Sequence, residues 1–173
     1  HDEREAFFNN LYQNIPQRRM LSSFRHKGIL FVCLDFGPLD RGELTDELLA
    51  FTEDALSKNE PAILLMHHNI VPLGTPWLDR FIPEGIESFY ALLRGKNVKA
   101  MLCGHLHSSY ERTWEGIPVL GLRSTAFQFR FQGKPILALQ PPHYRLVTVY
   151  DGARVESKVV RVPLPAGLKE VKV

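Results

Sequence analysis

Two apolar runs in this chain each end in a pair of histidines. Met101-Leu102-Cys103 leads into Gly104-His105-Leu106-His107, and Ala62-Ile63-Leu64-Leu65-Met66 leads into His67-His68. Four of the seven histidines therefore fall at two similar junctions. Neutral imidazole is the commonest protein ligand for transition metals. In an extended segment neighbouring side chains alternate between faces, so His105 and His107 are expected to share one face, with Leu106 turned toward packing. That spacing suits two ligands of one metal, or one ligand each for two adjacent metals. One such pair is what chance leaves on a surface loop; its repetition at a second strand end is what marks these four.

The elements that would position them follow from the pattern around them. Val98 to Cys103 and Ala62 to Met66 are short, apolar and bounded by turn residues, and read as buried strands. Gly104 is expected to let the chain turn sharply, leaving the histidines just past the strand ends, where open α/β sheets bind ligands. Upstream, Glu3 to Gln13 reads as a helix with Phe7/Leu11 and Phe8/Tyr12 at i,i+4 spacing. Gly28 to Asp35 reads as a strand with both faces covered, because Ile29 to Leu34 has no polar break. Thr45 is expected to cap a helix with Asp46 and Glu47 in its first turn and Leu48, Phe51 and Ala55 inward.

His68 to Pro83 is a long Pro- and Gly-rich connection, and loops of that length in a compact domain are usually functional. Pro83 to Arg94 is predicted as a helix, facing Ile86, Phe89, Tyr90 and Leu93 inward and stopped by Gly95. After His107 come short strand candidates at Ser109–Trp114, Ile117–Leu122 and Ala126–Phe131, with turns at Glu115-Gly116 and Gln132-Gly133. Tyr144–Tyr150 and Arg154–Val162 flank a hairpin turn at Asp151-Gly152. Alternating strands and helices followed by hairpins predict a layered α/β domain over residues 1–162, with 163–173 as a tail.

The chain has 173 residues, 45% apolar and 23% charged, with a net charge of +2. That is enough for one domain with its own core, and the scattered basic residues predict no specific nucleic-acid binding. No apolar run is long enough for a membrane span. Cys33 and Cys103 both sit inside apolar runs, which predicts reduced core thiols and a cytoplasmic setting. His26 and His143 stand outside any ligand pattern and read as ordinary structural or surface residues.

With Met66-His67-His68 after one strand and Gly104-His105-Leu106-His107 after the next, the chain resembles the second half of a calcineurin-like metallophosphoesterase. His67 to Asp79, Arg123-Ser124-Thr125-Ala126-Phe127-Gln128-Phe129 and the closing hairpin are similar to the bacterial cyclic-nucleotide and glycerophosphodiester phosphodiesterase branch. The resemblance runs from His1 to about Val162. It implies a sheet-and-helix sandwich and a centre of two divalent or trivalent transition metals (Mn, Fe, Zn or Co). His67 and His105 would bind one metal and His107 the other. It also implies that His1 and Asp2 are the end of a Gly-Asn-His-Asp motif, with His1 steadying the phosphate or protonating the leaving group and Asp2 orienting its ring. His68, Asn69 and Trp77 are then candidates for substrate contact, Trp77 as a stacking surface for a base.

The family's upstream ligands, carried by Asp-x-His, Gly-Asp and Gly-Asn, have no counterpart in these residues. The expectation is therefore a C-terminal portion, lacking the first strands and helices of the sheet. As such it would bind at most one metal weakly and be inactive alone. Its expected partners are a small phosphodiester and either a second copy or the missing N-terminal half. The competing expectation is a non-catalytic α/β assembly module, its histidines idle or holding a structural metal, which normally demands four closed ligands.

Overall fold

The first described element is helix α1 (Arg4–Leu11), tied down by Arg4, whose guanidinium donates to both carboxylate oxygens of Asp35 at 2.7 and 2.6 Å. The computed structural model describes residues 4–11, 13, 20–130, 133–138, 140–163 and 167. The predicted amphipathic burial of α1 is not seen: none of its residues is fully buried, and Leu11 is 66% exposed.

Strand β1 (Ser22–His26) carries no apolar pattern and all of it is exposed. It forms because Lys27 and Gly28, both at positive φ, make a two-residue hairpin turn into β2 (Ile29–Leu34). Helix α2 (Asp46–Ala55) starts as expected, with Thr45 Oγ1 accepting from Leu48 N–H at 3.1 Å. Its inner face is the expected one, with Leu48 buried and Phe51 and Ala55 partly buried against the core, and Thr52 joins it, donating its hydroxyl to the Leu48 carbonyl. Strand β3 (Ala62–Met66) follows, then the one-turn helix α3 (Pro76–Asp79). Helix α4 (Ile86–Leu93) is shorter than predicted at its start, because Gly85 adopts a left-handed φ of +68°. Strand β4 (Val98–Cys103) has the predicted bounds.

The rest of the chain is β5 (Tyr110–Trp114), β6 (Ile117–Gly121), the two-residue pair β7 (Gln128–Phe129) and β8 (Leu137–Ala138), then β9 (His143–Val149) and β10 (Val155–Arg161). The predicted strand over Ala126–Phe131 thus shrinks to two residues, and Phe131 lies outside the described residues.

The main sheet has the order β1-β2-β3-β4-β6-β5. Strands β2, β3, β4 and β6 run parallel, with antiparallel β1 and β5 at the edges. This is the α/β architecture expected from the sequence. Helices α2 and α4 cover one face, enclosing Val32, Leu64, Met101, Phe89 and Leu93 in the main core. The β9–β10 ribbon covers part of the other face, setting Val149 and Val155 near Ile29 and Ile63. Arg145 fastens the ribbon: its side chain, 5% exposed, pairs with Glu111 on β5 and donates to the Gly121 carbonyl on β6. Covering of the second face is incomplete, since Phe31, Cys33, Leu65 and Leu102 remain half-buried. Both cysteines are free. Among the described residues no helix is long and apolar enough to cross a membrane.

Candidate metal centre

Strands β3 and β4 are parallel neighbours, so their C-terminal ends lie together and the two histidine pairs meet there. The rings of His67 and His105 stand 5.1 Å apart, with His68 5.4 Å from the first and 4.9 Å from the second. His105 Nδ1 and His67 Nε2 approach to 3.3 Å. Two nitrogens each about 2.0–2.1 Å from one ion, at the tetrahedral angle, would lie about 3.3–3.4 Å apart. The pair therefore fits two ligands of a single transition ion.

The loop after β4 reaches this arrangement in an unexpected way. It is not extended: His105 and His107 have φ of +64° and +51°. Leu106 N–H bonds to the Gly104 carbonyl at 2.8 Å, closing a three-residue γ-turn on His105. Side chains other than glycine pay for left-handed backbone, and such residues persist where the surroundings fix them, often at functional sites. Leu106 is buried, as predicted, and anchors the turn. Gly104 is needed for a reason other than its φ. A Cβ there would lie 3.2 Å from His67 Nδ1, and its N–H already bonds the His67 carbonyl at 2.9 Å. Its bareness lets the two loops touch.

Burial, then the neighbouring rings of His68 and His107, lowers the pKa of His67 to about 4. Burial followed by His68 and His67 lowers that of His105 to about 3. Both rings are thus neutral at physiological pH, the state in which imidazole offers a lone pair to a metal. Nδ1 of His107 is buried without a hydrogen-bond partner among the described residues, a donor set open to a cation. No group of three or more His, Cys, Asp or Glu side chains close enough to hold a metal is present among the described residues. Asp35 lies on the same sheet edge, but its carboxylate is taken up by Arg4 and the Gly37 N–H.

His68 and Asn69 do not face the open cleft expected of substrate contacts. His68 is 1% exposed and donates from Nε2 to the Leu39 carbonyl at 2.8 Å, under the loop that follows β2. Asn69 is wholly buried; its amide donates to the Val71 carbonyl and accepts from Tyr110 Oη at 2.8 Å. Burial raises the pKa of Tyr110 well above the ordinary phenol value, keeping this hydroxyl a donor. Tyr90 Oη also donates to the Ile70 carbonyl. These contacts fix the segment that carries His67. Trp77 is half-buried against the core and meets Phe129 edge-on at 5.3 Å. His1 and Asp2 lie outside the described residues.

A cleft of about 570 Å³ opens beside His67, His105 and His107, with Arg123, Ser124 and Thr125 on its far wall. His143 supports that wall by accepting the Arg123 backbone N–H at 3.0 Å. This wall and the ring pair Phe127 and Phe129, which flank His107 at 4.5 and 5.8 Å, belong to the Arg123–Phe129 stretch that carries the resemblance, although the sequence singles out none of its residues as a site residue.

No family model matches the chain. It is 30% identical to a 3',5'-cyclic-nucleotide phosphodiesterase of Nostoc sp., over 94% of this chain and 63% of that protein. It is 28% identical to a probable cyclic nucleotide phosphodiesterase of Psychrobacter sp., over 88% of this chain and 47% of the relative. It is also 30% identical to the 3',5'-cyclic adenosine monophosphate phosphodiesterase CpdA of Escherichia coli K12, over 75% and 49%. The chain thus spans roughly half to two thirds of the length of these curated relatives. A solved structure of a Vps29 double mutant from Entamoeba histolytica overlaps 75% of this chain and 96% of its own at 13% identity, with a TM-score of 0.22, too low to bear on the fold.

Proposed function

We propose that this chain, a sequence relative of the bacterial 3',5'-cyclic-nucleotide phosphodiesterases, carries the histidine side of a dinuclear phosphodiesterase centre. The substrate is a small phosphodiester of the cyclic-nucleotide or glycerophosphodiester class. The observation that carries this reading is the meeting of His67 Nε2 and His105 Nδ1 at 3.3 Å on the C-terminal edge of two parallel strands.

In this reading His67 and His105 hold one ion and His107 the other, each through a ring nitrogen. Two transition ions (Mn, Fe, Zn or Co), when bound, supply Lewis-acid polarisation of the phosphate and a water of lowered pKa. The chain's own residues do the remaining work. Asn69, Tyr110 and the γ-turn at His105 keep the ligating nitrogens in register, and His68 backs them from beneath. His1 steadies a phosphoryl oxygen or gives its proton to the leaving oxygen, with Asp2 orienting the ring.

A second copy of the chain or a further segment covers the half-buried sheet face. The free thiols fit a reducing cytoplasm. With three imidazoles and, among the described residues, no carboxylate placed beside them to offset repulsion between two cations, these 173 residues alone bind one ion weakly and do not turn over. The test is Mn²⁺-dependent hydrolysis of adenosine 3',5'-cyclic monophosphate and of a glycerophosphodiester by the protein made from its complete gene. Turnover lost in His105→Ala supports the reading; turnover unchanged in that variant overturns it.

A further inference from the structure

We infer that Phe127 is the platform on which the substrate's nucleobase stacks, so that this residue sets a preference for nucleotide over base-free diesters. The inference rests on the phosphodiesterase reading above and names the substrate class at that site.

Phe127 is 40% exposed, while the next residue, Gln128, is 3% exposed. Its ring lies 4.5 Å from His107 and 5.5 Å from Phe129, at 84° to the latter. The cleft wall and the aromatic group are therefore continuous through His107. The loop is built to hold this position. Gln128 Nε2 donates to the Ser124 carbonyl at 2.9 Å, and Gln128 Oε1 accepts from Gln140 N–H at 2.9 Å. Ser124 Oγ accepts from Ala126 N–H at 3.1 Å, and Ser108 Oγ, one residue past His107, donates to the Phe129 carbonyl at 2.7 Å.

A buried polar side chain thus fixes a loop that leaves an apolar ring partly exposed beside His107. Folding alone favours burying such a ring. A nucleobase, one ribose away from the phosphate it carries, is an occupant that would cover it. Every base has a π face, so stacking binds bases without hydrogen-bond readout. Trp77, the aromatic that the sequence pointed to, is half-buried against the core and meets Phe129 at 80°.

The test is equilibrium binding with Mn²⁺ present, using adenosine 3',5'-cyclic monophosphate and the methyl riboside 3',5'-cyclic phosphate, which lacks the base. Phe127→Ala should weaken nucleotide binding by roughly 5- to 100-fold and leave the base-free ligand within about twofold, the ordinary reach of a surface change. Phe127→Trp should restore nucleotide binding. Equal losses for both ligands, or a selective loss in Trp77→Ala with none in Phe127→Ala, would overturn the stacking role. An unaltered chain that binds neither ligand would overturn the stacking role, whereas the phosphodiesterase reading falls separately, if the protein made from its complete gene does not hydrolyse either diester.

Discussion

Gly121→Ala tests how the ligand loop is held. Gly121 pairs with Tyr110 across the β5–β6 ladder. A Cβ at Gly121 would stand 2.0, 2.3 and 2.4 Å from Cε1, Cδ1 and Cζ of Tyr110, where carbon contacts belong near 3.5–4.0 Å. The ring must therefore shift by more than an ångström, yet it is 5% exposed and held at its far end by Asn69. If it stays, overpacking costs about 1–3 kcal/mol. If it swings away, Asn69 Oδ1 keeps only a 3.4 Å contact with Val71 N–H, and the lost buried bond costs a further ~1–3 kcal/mol. The sum, about 2–6 kcal/mol, is a large part of a domain's usual stability of ~5–15 kcal/mol. Urea unfolding should show a lower midpoint at unchanged slope, and the melting temperature should fall by about 2–4 °C per kcal/mol for a chain of this size. Tyr110→Phe, which removes only the hydroxyl, should cost about 1–2 kcal/mol. A Gly121→Ala protein within about 0.5 kcal/mol of the parent, the range of an ordinary surface substitution, would refute the packing argument.

Three further outcomes are expected. In the presence of a chelator, stability should fall as pH drops below about 6.5. Burial lowers the pKa values of His67, His105 and His143 in the folded chain, so the unfolded chain binds more protons below that pH. The histidine contribution to this loss is complete near pH 3, and His143→Gln should reduce the slope between about pH 6.5 and 5; stability that rises on acidification would contradict this. Asn69→Leu should destabilise by about 2–4 kcal/mol, because it strands the Tyr110 hydroxyl and the Val71 carbonyl, as urea unfolding would show. Sedimentation at high concentration should show self-association through the half-buried sheet face of Phe31, Leu65 and Leu102, reduced by Phe31→Ser; a monomer at every concentration would count against it.

The sequence carried the centre of this fold plainly and its edges poorly. Strands β3 and β4 have the predicted bounds because a short apolar run between turn residues has few alternatives to a buried parallel strand. Their adjacency brought the histidine pairs together as expected. β1 was invisible to hydrophobic pattern, since all its residues are exposed; only the Lys27-Gly28 turn signalled it. The strand over Ala126–Phe131 shrank to Gln128 and Phe129, the two residues that find ladder partners in Leu137 and Ala138, while Ala126 is tied locally to Ser124 Oγ. The left-handed backbone of His105 and His107 was not legible either, since contacts with the neighbouring loop fix it. The same holds for Asn69 and Tyr110, 41 residues apart in sequence and joined only by the fold.

The central claim, that His67 and His105 form a metal-binding pair, is tested most directly by calorimetric titration of the metal-free chain with Mn²⁺ or Zn²⁺. The account predicts one weak equivalent, lost in both His67→Ala and His105→Ala and retained in His26→Ala. Binding that survives both of the first two substitutions, or no binding at millimolar ion, would contradict it.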